Sequence, residues 1–329
     1  MPKIEDVAAK AGVSVTTVSR VLNNRGYISQ ATRDKVAQAM KELNYQPNEM
    51  ARSLFRKKSN MIGLIIPTVA HPFFSELVYQ LEYYADQKGY KVLLCNSNRD
   101  ISKERKYIDM LKKNQVDAIV MGSNVQDVKH YLNLNLPIIS FDRTVANNIP
   151  IVTSDNYMGG RLASRLLIDK GCRKLAHISG GVGGPNHAAL LASKRFQGFR
   201  DELTDTGIEH VSLELELTGL GDKRNVDELV RFFQEHPDAD GVFATSDVLA
   251  ALVIQACHQL KKTIPQEMKI IGYDDVGIAS LVWPRLTSIR QPIREMSECA
   301  IELIAKLLQG EEVSMINSFP VTLIQRDTT

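Results

Sequence analysis

Five clusters of polar and aromatic residues each stand just after a short apolar run. His71, Phe73 and Phe74 follow MIGLII (61–66); Asp142 and Arg143 follow PIISF (137–141); Asn186 and His187 follow KLAHIS (174–179); Ser246 and Asp247 follow DGVFA (240–244); Asp274 and Asp275 follow MKIIGY (268–273). Carboxylates only accept hydrogen bonds, a guanidinium only donates, and hydroxyls do both. Together with aromatic faces, such a set suits a ligand rich in hydroxyls, as a sugar is. It suits bond-breaking chemistry less well. The seven histidines include no HExxH and no metal-spaced pair, and no Gly-x-Ser-x-Gly turn is present. Asp274 and Asp275 are adjacent, so in a loop their side chains diverge. An enzyme acting on sugars is the weaker reading; no catalytic residue, metal ligand or cofactor is expected.

Several of these residues have a plainer use. Asp247 and Asp155 each stand where a helix N-cap is needed. Arg143 fits either a ligand pocket or an internal ion pair. Trp283, the single tryptophan, either stacks on a ring or packs the loop before Pro284. GGVGGP (180–185) lacks the spacing of a dinucleotide-binding turn and is broken by Pro185, so it reads as a loop at a pocket edge.

The apolar runs, with YKVLLC (90–95) and DAIVM (117–121), alternate with amphipathic stretches such as FSELVYQLEYYADQKG and ERKYIDMLKKN. Continuous apolar strands between helices indicate parallel sheets covered on both faces. About 270 residues exceed one ordinary sheet domain, so two α/β lobes are expected.

Charge divides the chain. Residues 1–58 carry 11 Lys/Arg against 5 Asp/Glu, and the remainder 29 against 33. A basic head on a mildly acidic body points to a polyanion-binding module. The four cysteines, Cys95, Cys172, Cys257 and Cys299, are too far apart for a zinc site and read as reduced thiols. There is no secretory leader pattern and no apolar run of the roughly 18 residues a span needs, so a cytoplasmic protein is expected.

In the head, Ile4, Val7, Ala8 and Ala11 recur at helical spacing, then Gly12 breaks the pattern. Ser14 is placed to cap a second helix through Leu22. Ser29 can cap a third, with Val36, Met40 and Leu43 on one face. A small residue (Ala8), a turn glycine (Gly12) and a buried apolar residue (Val18) make a helix-turn-helix. Its second helix enters the DNA major groove by its first turn. Val15, Thr16 and Arg20 are then placed for base edges, and Thr17, Ser19 and Asn23 for phosphates. A small helical domain that binds protein is the alternative; the basic balance favours DNA.

IEDVAAKAGVSVTTVSRVLN (4–23) and YQPNEMARSLFRKKSNMIGLIIP (45–67) resemble the lactose/galactose-repressor family of bacterial regulators. HPFFSEL, SDNYMGGRLA, KRFQGF, GVFATSDVLA, IIGYDDV and LTSIRQP follow in family order, so the resemblance covers essentially the whole chain. NQVDAIV, FDRTVANNIPIVTSDNYMGGRLA and KRFQGF are similar to the sucrose-operon repressors of Gram-positive bacteria. The resemblance implies an α/β fold: an N-terminal three-helix DNA-binding domain (1–46), a hinge (47–59), and a two-lobed core like periplasmic sugar-binding proteins (60–329). Lobe crossings are expected near Gly160, Gln291 and Thr322. The lobes would then take about 60–160 with 292–321, and 161–290 with 322–329.

It also implies roles. Ala51 and Leu54 would lie on a hinge helix that inserts Leu54 into the minor groove. Arg195 of KRFQGF, Asp274 of GYDDV and Asp142 would bind ligand, with Phe74, Ser246 and Arg143 beside them. LTGLGD (217–222) has no aromatic where the family carries a pocket aromatic. The implied partners are near-palindromic operator DNA, a sugar or sugar-phosphate effector, and a second copy of the chain. The absence of a trailing heptad helix after SFPVTLIQRDTT favours a dimer over a tetramer. A purine or a phosphoprotein as the signal is the alternative on the same fold.

Overall fold

The computed structural model describes residues 2–47, 58–122, 136–142, 146, 148–181, 189–216 and 223–329. The chain divides into two compact units, Met1–Ser59 and Asn60–Thr329.

The first unit holds α1 (Ile4–Ala11), α2 (Val15–Asn23) and α3 (Gln30–Glu42). Gly12 ends α1 with φ +67°, a left-handed conformation that costs glycine nothing, and the Val13 N–H then returns to the Ala8 carbonyl. Ser14 caps α2 by accepting from the Thr17 N–H (3.1 Å), and Ser29 caps α3 through the Thr32 N–H. Val7, Ala8, Val18, Val36 and Ala39 form the buried centre, with Leu22, Met40 and Leu43 packed around it.

The second unit contains two six-stranded sheets. The first is built from β1 (Met61–Ile66), β2 (Lys91–Asn96), β3 (Ala118–Met121), β4 (Ile138–Phe141), β5 (Ile151–Ser154) and β11 (Ile316–Phe319). The second comprises β6 (Lys174–Gly181), β7 (Glu209–Glu216), β8 (Gly241–Ala244), β9 (Lys269–Asp274), β10 (Thr287–Arg290) and β12 (Thr322–Ile324). Their orders are β11-β5-β4-β3-β1-β2 and β12-β10-β9-β8-β6-β7, the same winding twice. All neighbours are parallel except β10 and β12, which run antiparallel; the purely parallel expectation fails at that edge.

Burial on both faces explains the continuous apolar runs. Ile62, Leu64 and Ile66 pack with the helices Pro72–Gln87 and Ile293–Leu308, while Ile65 faces Ile108 and Leu111 of the helix Ile101–Lys113. In the second sheet, Ala176, Val242 and Ile270 meet Leu249 and Val253 of the helix Asp247–Gln259. Leu175, Phe243 and Tyr273 meet the pair Asn156–Asp169 and Ala189–Leu203.

The chain passes between lobes at Asp155, at Gln291–Pro292 and at Pro320–Val321. The first crossing is thus at Asp155 rather than near Gly160, because the helix Asn156–Asp169 already belongs to the second lobe. Gly160 instead marks a close helix crossing. A Cβ on Gly160 would overlap the Arg195 carbonyl oxygen, and one on Gly198 would overlap that of Tyr157. Two backbones meet where two side chains are missing. Gly160→Val is therefore expected to cost roughly 3 kcal/mol or more by overpacking, read as a lower urea midpoint.

Candidate ligand site and DNA-contact surface

On the head, the first turn of α2 faces outward. Val15 is 40% exposed, an unusual setting for valine on a helix that buries Val18 completely. Thr16 and Arg20 are exposed as well. Thr17 is half-buried, with its hydroxyl 2.9 Å from that of Ser14. Asn23 donates to the Ser19 carbonyl (2.8 Å), so both half-buried side chains sit on one helix face. The outward set combines a methyl surface, a hydroxyl and a guanidinium, which are the groups that read base edges in a major groove. Ala51 and Leu54 lie outside the described residues.

In the body, strand ends place the ligand candidates. A sheet wound outward from one strand in both directions opens a crevice at the carboxyl ends of its strands. Asp142 follows β4 in the first lobe; Asp274 ends β9 in the second; Arg195 sits on the helix after β6. All three are buried.

Arg195 is held from three sides. Its Nε donates to Asn156 Oδ1 (2.7 Å), a terminal nitrogen donates to the Thr245 carbonyl (2.6 Å), and the guanidinium lies 3.6 Å from the Tyr273 ring centre. A guanidinium over an aromatic face gains cation–π attraction. The Tyr273 hydroxyl also donates to Asn156 Oδ1 (3.3 Å), and burial pushes this phenol up to about 12.

Burial raises the Asp274 carboxyl to about 7, against the opposing pull of Arg195 and of Gln291, whose amide donates to it at 2.8 Å. Asp142 is also raised by burial, and also opposed by Arg195. It accepts from the Thr153 hydroxyl (2.8 Å) and the Ser154 N–H (3.2 Å). One cation thus serves two buried carboxyls from different lobes. Three aspartates here have positive φ: Asp142 (57°), Asp274 (104°) and Asp275 (53°). Such backbone strain gathers at ligand clamps, and it persists only where surrounding contacts hold it. Asp275 is held by Arg290 (2.7 Å) and Arg326 (2.6 Å).

His71 caps the helix Pro72–Gln87 by accepting from the Phe73 N–H, and its ring meets Phe74 edge-on at 6.0 Å. Burial first, then Arg99 and Arg195, lower this imidazole to about 4, so it is neutral at pH 7. Phe74 is half-buried against the first-lobe core. Ser246 is buried, and its hydroxyl accepts from the Leu249 N–H (3.3 Å).

The expected cap at Asp247 is therefore one residue off. Ser246 caps that helix, while the Asp247 carboxylate accepts from the Val276 N–H (2.9 Å) and the Ser288 hydroxyl, bracing the turn after Asp274. Trp283 is 76% exposed, so it does not pack its loop; Val282 takes the inward place. Arg143, Asn186 and His187 lie outside the described residues. Among the described residues, no group of three or more His, Cys, Asp or Glu could hold a metal ion.

Residues 3–48 match the bacterial regulatory proteins of the lacI family, and residues 165–329 match a periplasmic binding protein-like domain. The sucrose operon repressor of Streptococcus mutans is 40% identical over 99% of this chain and 99% of its own length. The ribose operon repressor of Halalkalibacterium halodurans is 38% identical over 100% of this chain and 97% of its own. The chain belongs to the lacI family. Its fold is that of the lac repressor bound to ONPG (TM-score 0.87, 25% identity, 100% of this chain and 99% of that one). A solved lacI-type regulator from Alkaliphilus metalliredigens, complexed with D-xylulofuranose, covers 82% of this chain at 34% identity, TM-score 0.75 and 99% of its own length. As a lacI-family member the chain is a transcription regulator and not an enzyme.

Sequence reasoning missed Asn156, Tyr273 and Gln291, which hold Arg195 and Asp274. Asn156 stands in the quoted run SDNYMGGRLA, but one polar residue at a helix start carries no sign that it faces an arginine 39 positions away.

Proposed function

We propose that this protein represses a sugar-utilisation operon, with sucrose as the first candidate effector, and that a sugar or sugar phosphate bound between the lobes sets its affinity for operator DNA. The observation that carries this reading is the Asp142–Arg195–Asp274 cluster. It offers an acceptor from each lobe and a donor from the second, each braced from behind by protein hydrogen bonds. A sugar hydroxyl both donates and accepts, so it matches such mixed sites. Three relatives named sucrose operon repressor, at 40, 40 and 38% identity, support sucrose; relatives named ribose operon repressor make ribose the next probe.

In this reading Val15, Thr16 and Arg20 read bases, and Thr17, Ser19 and Asn23 contact phosphates. Ala51 and Leu54 belong to a hinge helix over residues 47–59. A homodimer places two heads on a near-palindromic operator, and a lac repressor dimer bound to operator supports that arrangement. Binding operator DNA places the protein's action in the cytoplasm.

The test is a gel shift on a palindromic site, titrated with sucrose, ribose, fructose, their phosphates and purines. A shift relieved or strengthened by a sugar supports the proposal. A response to purines alone, or no binding at low salt, rejects it. Leu54→Ala is expected to weaken operator binding roughly tenfold or more, since the wedge and its contacts are lost, while sugar affinity is unchanged in calorimetry.

A further inference from the structure

SDNYMGGRLA and LTSIRQP each supply one crossing between the lobes, and the polar residues of the two crossings are bonded to each other. Ser154, Asn156 and Gln291 are all buried. Asn156 Oδ1 accepts from Arg195, and its amide donates to the Ser154 carbonyl (3.0 Å). The Ser154 hydroxyl donates to Gln291 Oε1 (2.6 Å), and the Gln291 amide donates to Asp274 (2.8 Å). The path Arg195–Asn156–Ser154–Gln291–Asp274 therefore begins and ends on a residue of the proposed ligand site. Between them it runs through two of the three segments about which the lobes must turn.

We infer that this buried relay couples effector occupancy to the angle between the lobes, with Asn156, Ser154 and Gln291 as positioning residues. The inference rests on the effector reading proposed above. Its physical basis is that the buried donors and acceptors along the path are already committed to protein partners: Asn156 Oδ1 accepts from Arg195 and Tyr273, and the Ser154 carbonyl from Asn156 and Thr153. A hydroxyl-bearing ligand that draws on Arg195 or Asp274 changes the geometry those groups present to Asn156 and Gln291. Neither can adjust alone: Asn156 opens a helix fixed by the Gly160–Gly198 crossing, and Gln291 precedes Pro292. Movement is passed to Ser154, where the first lobe's sheet ends.

Ser154 is the informative position, because its hydroxyl lies inside the relay while its bond to the ligand site, the backbone N–H to Asp142 (3.2 Å), survives a change of side chain. Ser154→Ala removes the Ser154–Gln291 link, and Ser154→Thr keeps a hydroxyl. The readouts are the affinity of the full-length dimer for sucrose or ribose without DNA, and the ratio of operator affinities with and without that sugar. Linkage makes this ratio the coupling itself, ordinarily about 5- to 150-fold. For Ser154→Ala, sugar affinity is expected within about threefold of wild type while the ratio falls at least about fivefold toward one. Ser154→Thr restores it.

A merely structural role would move sugar affinity and thermal stability together and leave the ratio in place. A wild-type ratio in Ser154→Ala, with sugar binding intact, overturns the relay. If Ser154→Ala does not fold, Ser154→Cys, which keeps the volume but replaces the hydroxyl with a weak donor, gives the same reading: loss of the ratio with sugar affinity intact supports the relay, and a wild-type ratio overturns it. A wild type whose operator affinity ignores every sugar tried overturns the effector reading itself, and is recognised before any variant is made.

Discussion

Asp274→Asn is expected to abolish the sugar response and, at pH 7.5, to make the protein more stable than wild type. Burial raises this carboxyl to about 7, whereas an unfolded aspartate titrates near 4. A raised carboxyl means that the folded state holds the proton more tightly than the unfolded chain. Stability from this group is therefore highest below about 4, falls as pH rises, and reaches its minimum above about 7. Asparagine carries no charge, still accepts from the Gln291 amide through Oδ1, and tolerates positive φ. The gain above neutrality is on the order of 2 kcal/mol, or roughly 5 °C in melting temperature. Melting curves at pH 4.5 and 8 check the sign: the variant's advantage should be large at 8 and small at 4.5. Sugar affinity should drop about 10- to 100-fold, as for loss of a charged hydrogen-bond partner. Operator binding without sugar should persist.

Arg195→Met works in the opposite direction. The guanidinium is the shared countercharge of Asp142 and Asp274 and the donor to Asn156 and Thr245. Methionine fills part of the space over Tyr273 but leaves two buried carboxyls without a cation. Breaking a buried charge pair on one side costs about 3–5 kcal/mol. The loss should shrink as pH falls and both carboxyls take up protons. Adding Asp274→Asn should recover part of it, because neighbouring charges are not additive. Urea midpoints of the two single variants and the double variant at pH 5 and 7.5 measure each of these effects. Additive midpoint shifts at pH 7.5 would show that the two side chains do not share a site.

The head could be read almost completely before the structure, because each signal there is local. Gly12 at a turn, Ser14 and Ser29 at caps, and Val18 opposite Ala8 all follow from spacing within a few residues. The buried strands announced themselves as apolar runs for the same reason. β7 did not: EHVSLELE alternates because it is an edge strand with an exposed face. β5 and β10 are four residues each and carry Thr, Ser and Arg beside their apolar residues. In the site, Asp142 and Asp274 stood out as carboxylates after strands. Arg195 rested on resemblance, since nothing local distinguishes an arginine on a helix that faces a cleft from one that faces water. Asn156, Tyr273 and Gln291 were invisible because their role depends on pairings 17 to 137 positions apart.

The division of labour between a DNA-reading head and a ligand-reading body is tested most directly by fluorescence anisotropy on a labelled palindromic operator. Wild type and Asp274→Asn would be titrated side by side with sucrose, ribose and their phosphates at fixed salt. The expected result is equal operator affinity for the two proteins without sugar, a sugar-dependent change of about tenfold or more in wild type, and no change in the variant. An identical sugar response in both proteins would contradict the assignment of Asp274 and, with it, the proposed site.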